Sequence, residues 1–301
     1  MGRVKPLCLI DAEIVLGVEH TNQISEYCDI AICHVNQCEP ELLRRAEVLL
    51  LHSKLSSESL SKLTKCKYIG IRAHNLDYID VQCARKMGIE VCGIEPVGGV
   101  SVAEHTFALI FALAKHLLLS HQNVLSGKWR EALTPSIQLY NKHLGIMGHG
   151  AVGRRVAEIG RGIGMNILIH DPNQPAISVS LDDLLPVADV VTIHIPYCPE
   201  NHHFMDHQKI TKMKAGALLI NAARGGLLDY DALEAALRDK KIAGAGIDVF
   251  EMEPSPLPNS LFDLPNVILS PHVAYFSKES SFEMDSQLID NLIRRIQERD
   301  G

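Results

Sequence analysis

Three polar groups in the last third of the chain stand just past short apolar runs, where an open α/β sheet presents side chains to a ligand. Arg224 follows the run 217–221 and is succeeded by two glycines. A guanidinium there can grip a carboxylate through two hydrogen bonds and polarise an adjoining carbonyl. His272 follows the run 267–270 and can pass a proton to or from a substrate oxygen. Between them lies Gly246 to Pro254, GIDVFEMEP, whose acids can favour the imidazolium and fix its orientation. Each residue alone reads equally well as a surface group, since the chain has 15 His. Their order, each closing a successive strand, gives them weight.

A phosphate-binding signal precedes them. His143 to Gly153 reads HLGIMGHGAVG, an apolar strand running into Gly-x-Gly-x-x-Gly and then a helix expected over 154–161. In this pattern Gly148 permits a tight turn, Gly150 lets the backbone approach a pyrophosphate, and Gly153 lets helix and strand pack closely. Amides at the helix N-terminus then face the phosphates. Asp171 lies 23 residues after Gly148, at the end of the next expected strand, where a carboxylate can accept hydrogen bonds from ribose hydroxyls. That charge disfavours a 2′-phosphate, and Pro172-Asn173-Gln174 brings no Arg or Lys, so NAD is expected over NADP. A solvated loop acid before Pro172 is the other reading of Asp171.

Such groups need strands that end at one edge. Strands are expected at 7–10, 30–34, 48–52, 68–72 and 90–92, alternating with helical stretches at 39–46, 57–65 and 81–86. After Gly93 to Gly99, whose Pro and paired Gly mark a hinge, Ser101 is expected to cap a long apolar helix with Glu104 at the capping-box offset. A polar stretch, 129–141, leads to six further strands at 144–147, 166–170, 190–194, 217–221, 244–248 and 267–270. The alternation predicts an α/β fold with doubly wound parallel sheets. Residues 279–299 carry Leu288, Ile289, Leu292, Ile293 and Ile296 at helical spacing and are expected to pack back on the first domain.

Composition narrows the partners. With 301 residues, 47% hydrophobic and 22% charged, the chain suits two globular domains without long disorder. A net charge of −7, from 29 Lys+Arg and 36 Asp+Glu, lacks the basic footprint of a nucleic-acid or polybasic membrane binder, so a small ligand is expected. Eight cysteines without a C-x-x-C pair fit neither a disulfide scaffold nor a zinc pattern. No metal is therefore expected, and the expected setting is a reducing cytoplasm. Asp11 and Glu13 interrupt the first apolar run, so no signal-peptide core is read there. The longest uncharged stretch of the most apolar region, 106–114, falls far short of the roughly 20 residues that span a bilayer. It is expected to be a buried helix or a subunit contact.

Taken in order, these stretches resemble the D-isomer-specific 2-hydroxyacid dehydrogenases. The matching segments are RAHNLDYID (Arg72 to Asp80), SVAEHT (Ser101 to Thr106), Gly127-Lys128-Trp129, the glycine loop, ADVVTIHIP (Ala188 to Pro196), MKAGALLINAARGGLLD (Met213 to Asp229), GIDVFEMEP and NVILSPHVA (Asn266 to Ala274). They cover nearly the whole chain. The resemblance implies two Rossmann-like doubly wound domains: a discontinuous flavodoxin-like substrate domain, residues 1–96 and 278–301, and an NAD-binding domain, 97–277, inserted into it. It also implies an active site in the cleft and a homodimer formed through the helix after Ser101. The implied activity is NAD-dependent interconversion of a small 2-ketoacid and a D-2-hydroxyacid by hydride transfer.

By the same resemblance Arg224 anchors the substrate carboxylate and carbonyl, His272 is the acid/base, and Glu253 is its partner. Glu251 competes for that last role; Glu253 is preferred because it directly precedes Pro254. The implied cofactor contacts are Gly148, Gly150, Ala151, Val152, Gly153, Asp171, His194, Pro196, Ala222 and Asp248, the last toward the nicotinamide carboxamide. The backbone around Asn75 and Leu76 resembles a loop whose amides hold the substrate carboxylate. Asn75 stands where members often have Gly, which adds a side chain beside the substrate. His52-Ser53-Lys54 stands where phosphoglycerate-type members typically show Arg-Ser, so phosphate on the substrate is not supported, although Lys54 could partly substitute, and Asn201 replaces a frequent Thr near the cofactor phosphates. Formate dehydrogenases are a poorer match because they carry Gln for the catalytic Glu. An NAD(H)-sensing, corepressor-like binding protein with weak dehydrogenase activity is the alternative; the lack of long flanking tails favours the enzyme.

Overall fold

Buried aliphatic runs four or five residues long form most of the strands, a pattern that belongs to parallel sheets covered on both faces. The computed structural model describes residues 5–253 and 260–300. Pro254, on which the preference for Glu253 rests, lies outside the described residues. The chain divides into two compact units, Met1–Val97 with Ser277–Gly301, and Gly98–Phe276.

The first unit alternates β1 (Leu7–Asp11), α1 (Val18–Tyr27), β2 (Asp29–Cys33), α2 (Pro40–Arg45), β3 (Val48–Leu51), α3 (Ser57–Lys62), β4 (Tyr68–Ile71), α4 (Val81–Lys86) and β5 (Glu90–Cys92). Its strands are parallel in the order β2-β1-β3-β4-β5, the flavodoxin-like arrangement. Every residue of β3 (VLLL) and β4 (YIGI) is buried, and Leu9, Leu49, Leu51, Ile69 and Ile71 share one core with Leu43 and Leu60 of the helices. Strand β3 stops one residue earlier than expected. The amides of His52 and Ser53 turn onto the buried Asp11 carboxylate at 3.1 and 2.7 Å, which takes them out of the ladder.

The second unit contains α5 (Gly99–Ala114), α6 (Leu117–Leu125), β6 (His143–Met147), α7 (Ala151–Gly162), β7 (Asn166–His170), α8 (Leu181–Leu184), β8 (Val190–Ile193), α9 (His207–Lys212), β9 (Leu218–Asn221), α10 (Tyr230–Arg238), β10 (Gly244–Ile247) and β11 (Val267–Leu269). Its six parallel strands run β11-β10-β9-β8-β6-β7. Side chains alternate between the faces as a period of two demands. Leu144, Ile146, Leu218 and Ile220 pack with Phe107, Ile110 and Val156 of α5 and α7. Met147, Val191, Ile193 and Leu219 pack on the other face with Leu184, Ile210 and Leu233 of α8, α9 and α10. The connections diverge to either side of the β6/β8 pair, so the switch point of this sheet, where such folds bind ligands, lies between those two strands.

Two expectations about the helix after the hinge are corrected. Ser101 does not cap it: α5 begins at Gly99 behind Gly98, whose φ of 85° makes the turn that a capping Ser was expected to make. The long helix is also broken, because His116 adopts a φ of 50° and the carbonyl of Ala114 is taken by the amide of Ile137 at 2.9 Å instead of continuing the helical ladder. Among the described residues no single helix is long and apolar enough to cross a membrane.

The chain returns to the first unit in α11 (Lys278–Asp300). Leu288, Ile289 and Leu292 are buried. The buried Arg72, just past β4, donates from Nε to Asp285 and from Nη2 to the Ser281 carbonyl, tying α11 to the sheet. Breaking one side of such a buried pair costs about 3–5 kcal/mol, because the other charge is left unpartnered.

Candidate active site

At the end of β6 the chain turns at Gly148 with φ 90°. A Cβ there would stand 2.5 Å from the His194 carbonyl oxygen beyond β8, so only glycine fits this side of the switch point. A Cβ on Gly153 would strike the Gly148 carbonyl, so α7 packs directly on the turn. At Gly150 an added Cβ would meet nothing within 4 Å. The cradle is therefore closed behind and open in front, with the first-turn amides of Ala151, Val152 and Gly153 lacking acceptors within their own helix. That geometry fits a pyrophosphate.

Asp171, at the end of β7, binds the same loop. Its carboxylate accepts the His149 amide at 2.9 Å, the Asn173 amide at 2.9 Å and Gln174 Nε2 at 3.2 Å. The His149 hydrogen bond is the main cause that holds the carboxyl below its ordinary pKa, outweighing the effect of burial. Asp171 is thus an anion next to the cradle and not a solvated loop acid. Gln174, which sequence reasoning credited only with lacking a charge, also donates to the His149 carbonyl at 2.9 Å and so fixes the turn.

His194 accompanies β8, its Nε2 2.8 Å from Thr192 Oγ1. The residue is half-buried, and desolvation of its ring pushes the pKa down to about 3, which leaves a neutral imidazole beside the cradle. Pro196 is exposed; its carbonyl accepts Asn201 Nδ2 at 2.8 Å, while Asn201 Oδ1 accepts the Cys198 amide at 2.8 Å. The Asn that replaces a frequent Thr is the brace of this loop.

Ala222 is nearly buried at the end of β9. The preceding Asn221, fully buried, donates to the Arg224 carbonyl at 2.9 Å and accepts the Ala223 amide at 3.1 Å. Its position as a polar residue closing an apolar strand was the available signal. Arg224 itself is exposed, with Nη1 2.7 Å from the Ala223 carbonyl. The next residue makes the cluster possible: a Cβ on Gly225 would overlap the backbone of Phe250 and Glu251. Only glycine lets the Arg224 loop lie against the segment that carries the acids.

Glu253 Oε2 lies 2.6 Å from His272 Nδ1, and Glu253 Oε1 accepts the Phe250 amide at 2.9 Å. Burial alone would push the Glu253 carboxyl up, but the His272 and Phe250 hydrogen bonds and the charges of His272 and Arg224 prevail and hold it below its ordinary range. Glu251 turns away and meets His203 at 2.7 Å. His272 has a φ of 54°, rare for a residue with a side chain. Its amide donates to the Asp248 carbonyl at 2.7 Å.

Asp248 is fully buried. Its carboxylate accepts Ser270 Oγ and the amides of Val273 and Ala274 at 3.0 and 2.9 Å, and His105 Nε2 lies 2.9 Å from the same Ser270 hydroxyl. The structure thus places Asp248 behind the His272 turn, where it clamps both ends of the strained residue. Asn75 and Leu76 belong to the first unit, in a loop stitched down by the Ile94 amide to Ala73 and the Leu55 amide to Tyr78. Asn75 is half-buried and does not take the positive φ that a glycine at this place would allow.

Residues 107–274 match the family described as the D-isomer specific 2-hydroxyacid dehydrogenase NAD binding domain. A glycerate dehydrogenase of Methylorubrum extorquens is 35% identical over 261 residues, which cover 84% of this chain and 83% of that protein. A D-3-phosphoglycerate dehydrogenase of Bacillus subtilis is 34% identical over 280 residues, 90% of this chain; the match takes in only 53% of that longer protein, so the chain spans about half its length. Among solved structures, a D-lactate dehydrogenase from Aquifex aeolicus complexed with NAD and lactic acid superposes with a TM-score of 0.81, at 30% identity, covering 96% of this chain and 95% of that one.

Proposed function

Because the chain belongs to the D-isomer-specific 2-hydroxyacid dehydrogenase family, we propose that it interconverts a small 2-ketoacid and a D-2-hydroxyacid with NAD, using His272 and Glu253 as its acid–base pair and Arg224 as the substrate anchor. The observation that carries this reading is the Glu253–His272 hydrogen bond beside Arg224, joining residues from three separate segments.

The amides of Gly150, Ala151, Val152 and Gly153 hold the pyrophosphate, and Asp171 takes the ribose hydroxyls. NAD, when bound, supplies the hydride donor or acceptor. The protein's own residues do the rest. The Glu253 carboxylate accepts a hydrogen bond from Nδ1–H of His272, which fixes the ring and leaves Nε2 to give a proton to the substrate oxygen, or to remove one in the reverse direction. Arg224 holds the carboxylate and stabilises the negative charge that grows on the carbonyl oxygen. Asp248 accepts three hydrogen bonds from the 270–274 turn and so positions His272, and it is also assigned the nicotinamide carboxamide contact that the resemblance implies.

The chain is further assigned a homodimer through α5 and α6, where Phe111, Leu117, Leu118, Val124 and Leu125 are exposed apolar side chains of the kind that mark a subunit contact. Eight cysteines, with no disulfide among the described residues, suit a reducing, cytoplasmic setting.

A panel of glyoxylate, pyruvate, hydroxypyruvate, phenylpyruvate and branched 2-ketoacids, each with NADH and with NADPH, tests the activity. Oxidation of NADH in preference to NADPH by at least one ketoacid is the expected result. NADH binding without turnover of any ketoacid would overturn it and leave a cofactor-sensing protein.

A further inference from the structure

His202, His203 and Glu251 lie outside the reacting cluster but converge on one another. Each offers a ligand atom, and the three atoms lie within 4.8 Å of one another. Glu251 Oε1 is 2.7 Å from His203 Nε2 and 3.7 Å from His202 Nε2, and the two imidazoles stack with centroids 3.9 Å apart. We propose that these three residues bind a borderline-soft divalent transition-metal ion, with zinc the first candidate.

The donor set selects the ion. Two imidazoles and one carboxylate suit zinc, nickel or copper, whereas magnesium and calcium prefer oxygen alone. Three protein ligands with an open fourth position form a common zinc arrangement. All three side chains are between a third and a half exposed, so an ion can enter and water can complete its shell. Bonds of about 2.0–2.2 Å in a tetrahedral shell set ligand atoms roughly 3.4 Å apart, so the His203–Glu251 pair opens and the wider pairs close, shifts within reach of exposed side chains changing rotamer.

The scaffold beneath the ligands is already fixed. The His203 amide donates to the Gly226 carbonyl at 2.7 Å, and Glu251 sits on the segment that Gly225 lets pack closely. His202 Nδ1 is 3.4 Å from Tyr197 Oη, an outer contact of the kind that orients a ligating imidazole. Coordination replaces the hydrogen bond between His203 and Glu251; a neutral His203 ring then carries its one proton on Nδ1, and a ring that starts as the imidazolium releases its Nε2 proton to solvent. Sequence spacing alone concealed the site, because Glu251 lies 48 residues beyond His203 and the Gly225–Gly226 turn packs between their segments.

The test uses the untagged full chain, stripped with a chelator and dialysed. Zinc is titrated in competition with a chromophoric chelator, and cobalt is added separately to read its visible absorption. One zinc per chain is expected, with a cobalt spectrum that shows bound nitrogen ligands. Affinity should fall about tenfold or more in His203→Gln and in Glu251→Gln, while His121→Gln, on the exposed side of α6, should match the parent. Circular dichroism checks that each variant is folded, and a variant that fails it is replaced by His202→Gln. No zinc bound by the parent, or equal binding by the parent and the folded ligand variants, overturns the proposal. None of these readings depends on turnover.

Discussion

The glycine cradle and the reacting cluster stand at strand ends of the same sheet, yet they are built in opposite ways. The cradle is nearly continuous in sequence. Six residues, Gly148 to Gly153, present backbone amides, and one acid from the neighbouring strand closes them. The cluster draws on three distant segments and works through side chains, which one glycine and one buried acid bring together: Gly225 allows the close approach and Asp248 clamps the His272 turn. Under the proposed function, cofactor binding thus depends on local backbone geometry and chemistry on long-range packing. The two should fail separately.

A large separation is expected from Arg224→Lys. An ammonium keeps the charge but loses the planar two-pronged grip, and kcat/KM should drop by about 10²–10³, as for removal of a single transition-state donor. NADH affinity, measured by fluorescence titration, should hardly change. A parallel loss of NADH binding would break the distinction between the two regions. Gly225→Ala comes next. Its methyl group must displace the Phe250 backbone, so unfolding stability should fall by about 1–3 kcal/mol, and in the folded fraction kcat should fall more than NADH affinity. Normal kcat in this variant would show that the cluster does not need the close approach.

The cradle side is probed by Asp171→Ala. Loss of one charge-assisted hydrogen bond, ~1.5 kcal/mol, should weaken NADH binding about tenfold and narrow the preference over NADPH, with kcat on saturating cofactor much less affected. An unchanged cofactor preference would contradict the assignment of Asp171. The smallest effect is one of pH. The folded-state pKa of Asp171 is depressed, so its stabilisation is complete above the unfolded carboxyl value, about 3.9, and is lost as pH falls through the folded value. The stability difference between the parent and Asp171→Asn should be flat above about pH 5 and shrink toward pH 3. A difference that grows on acidification would have the wrong sign.

These contrasts also explain what could be read from the chain alone. Most strands begin and end within a residue or two of expectation, because a buried parallel strand is an apolar run bounded by polar residues. The turn at Gly148 and the contact of Asp171 with its loop were legible because both fall within one strand–helix–strand stretch. The choice between Glu251 and Glu253 was not settled by sequence: both are acids on one short segment, and what separates them is that His203 meets one and His272 the other. The burial of Asp248 was equally hidden, since an Asp ending a strand reads as exposed until the 270–274 turn folds over it. The start of α5 at Gly99 and its break at His116 depend on single residues with positive φ, and a broad apolar pattern does not mark them.

The central claim is that proton transfer at His272 is separable from cofactor binding, and His272→Gln tests it most directly. With any ketoacid the parent reduces, kcat should fall about 10²–10⁴-fold, the usual share of a general acid. NADH affinity measured on the same preparation should stay within about twofold. Unchanged turnover, or a fall in NADH affinity that matches the fall in kcat, would contradict the account.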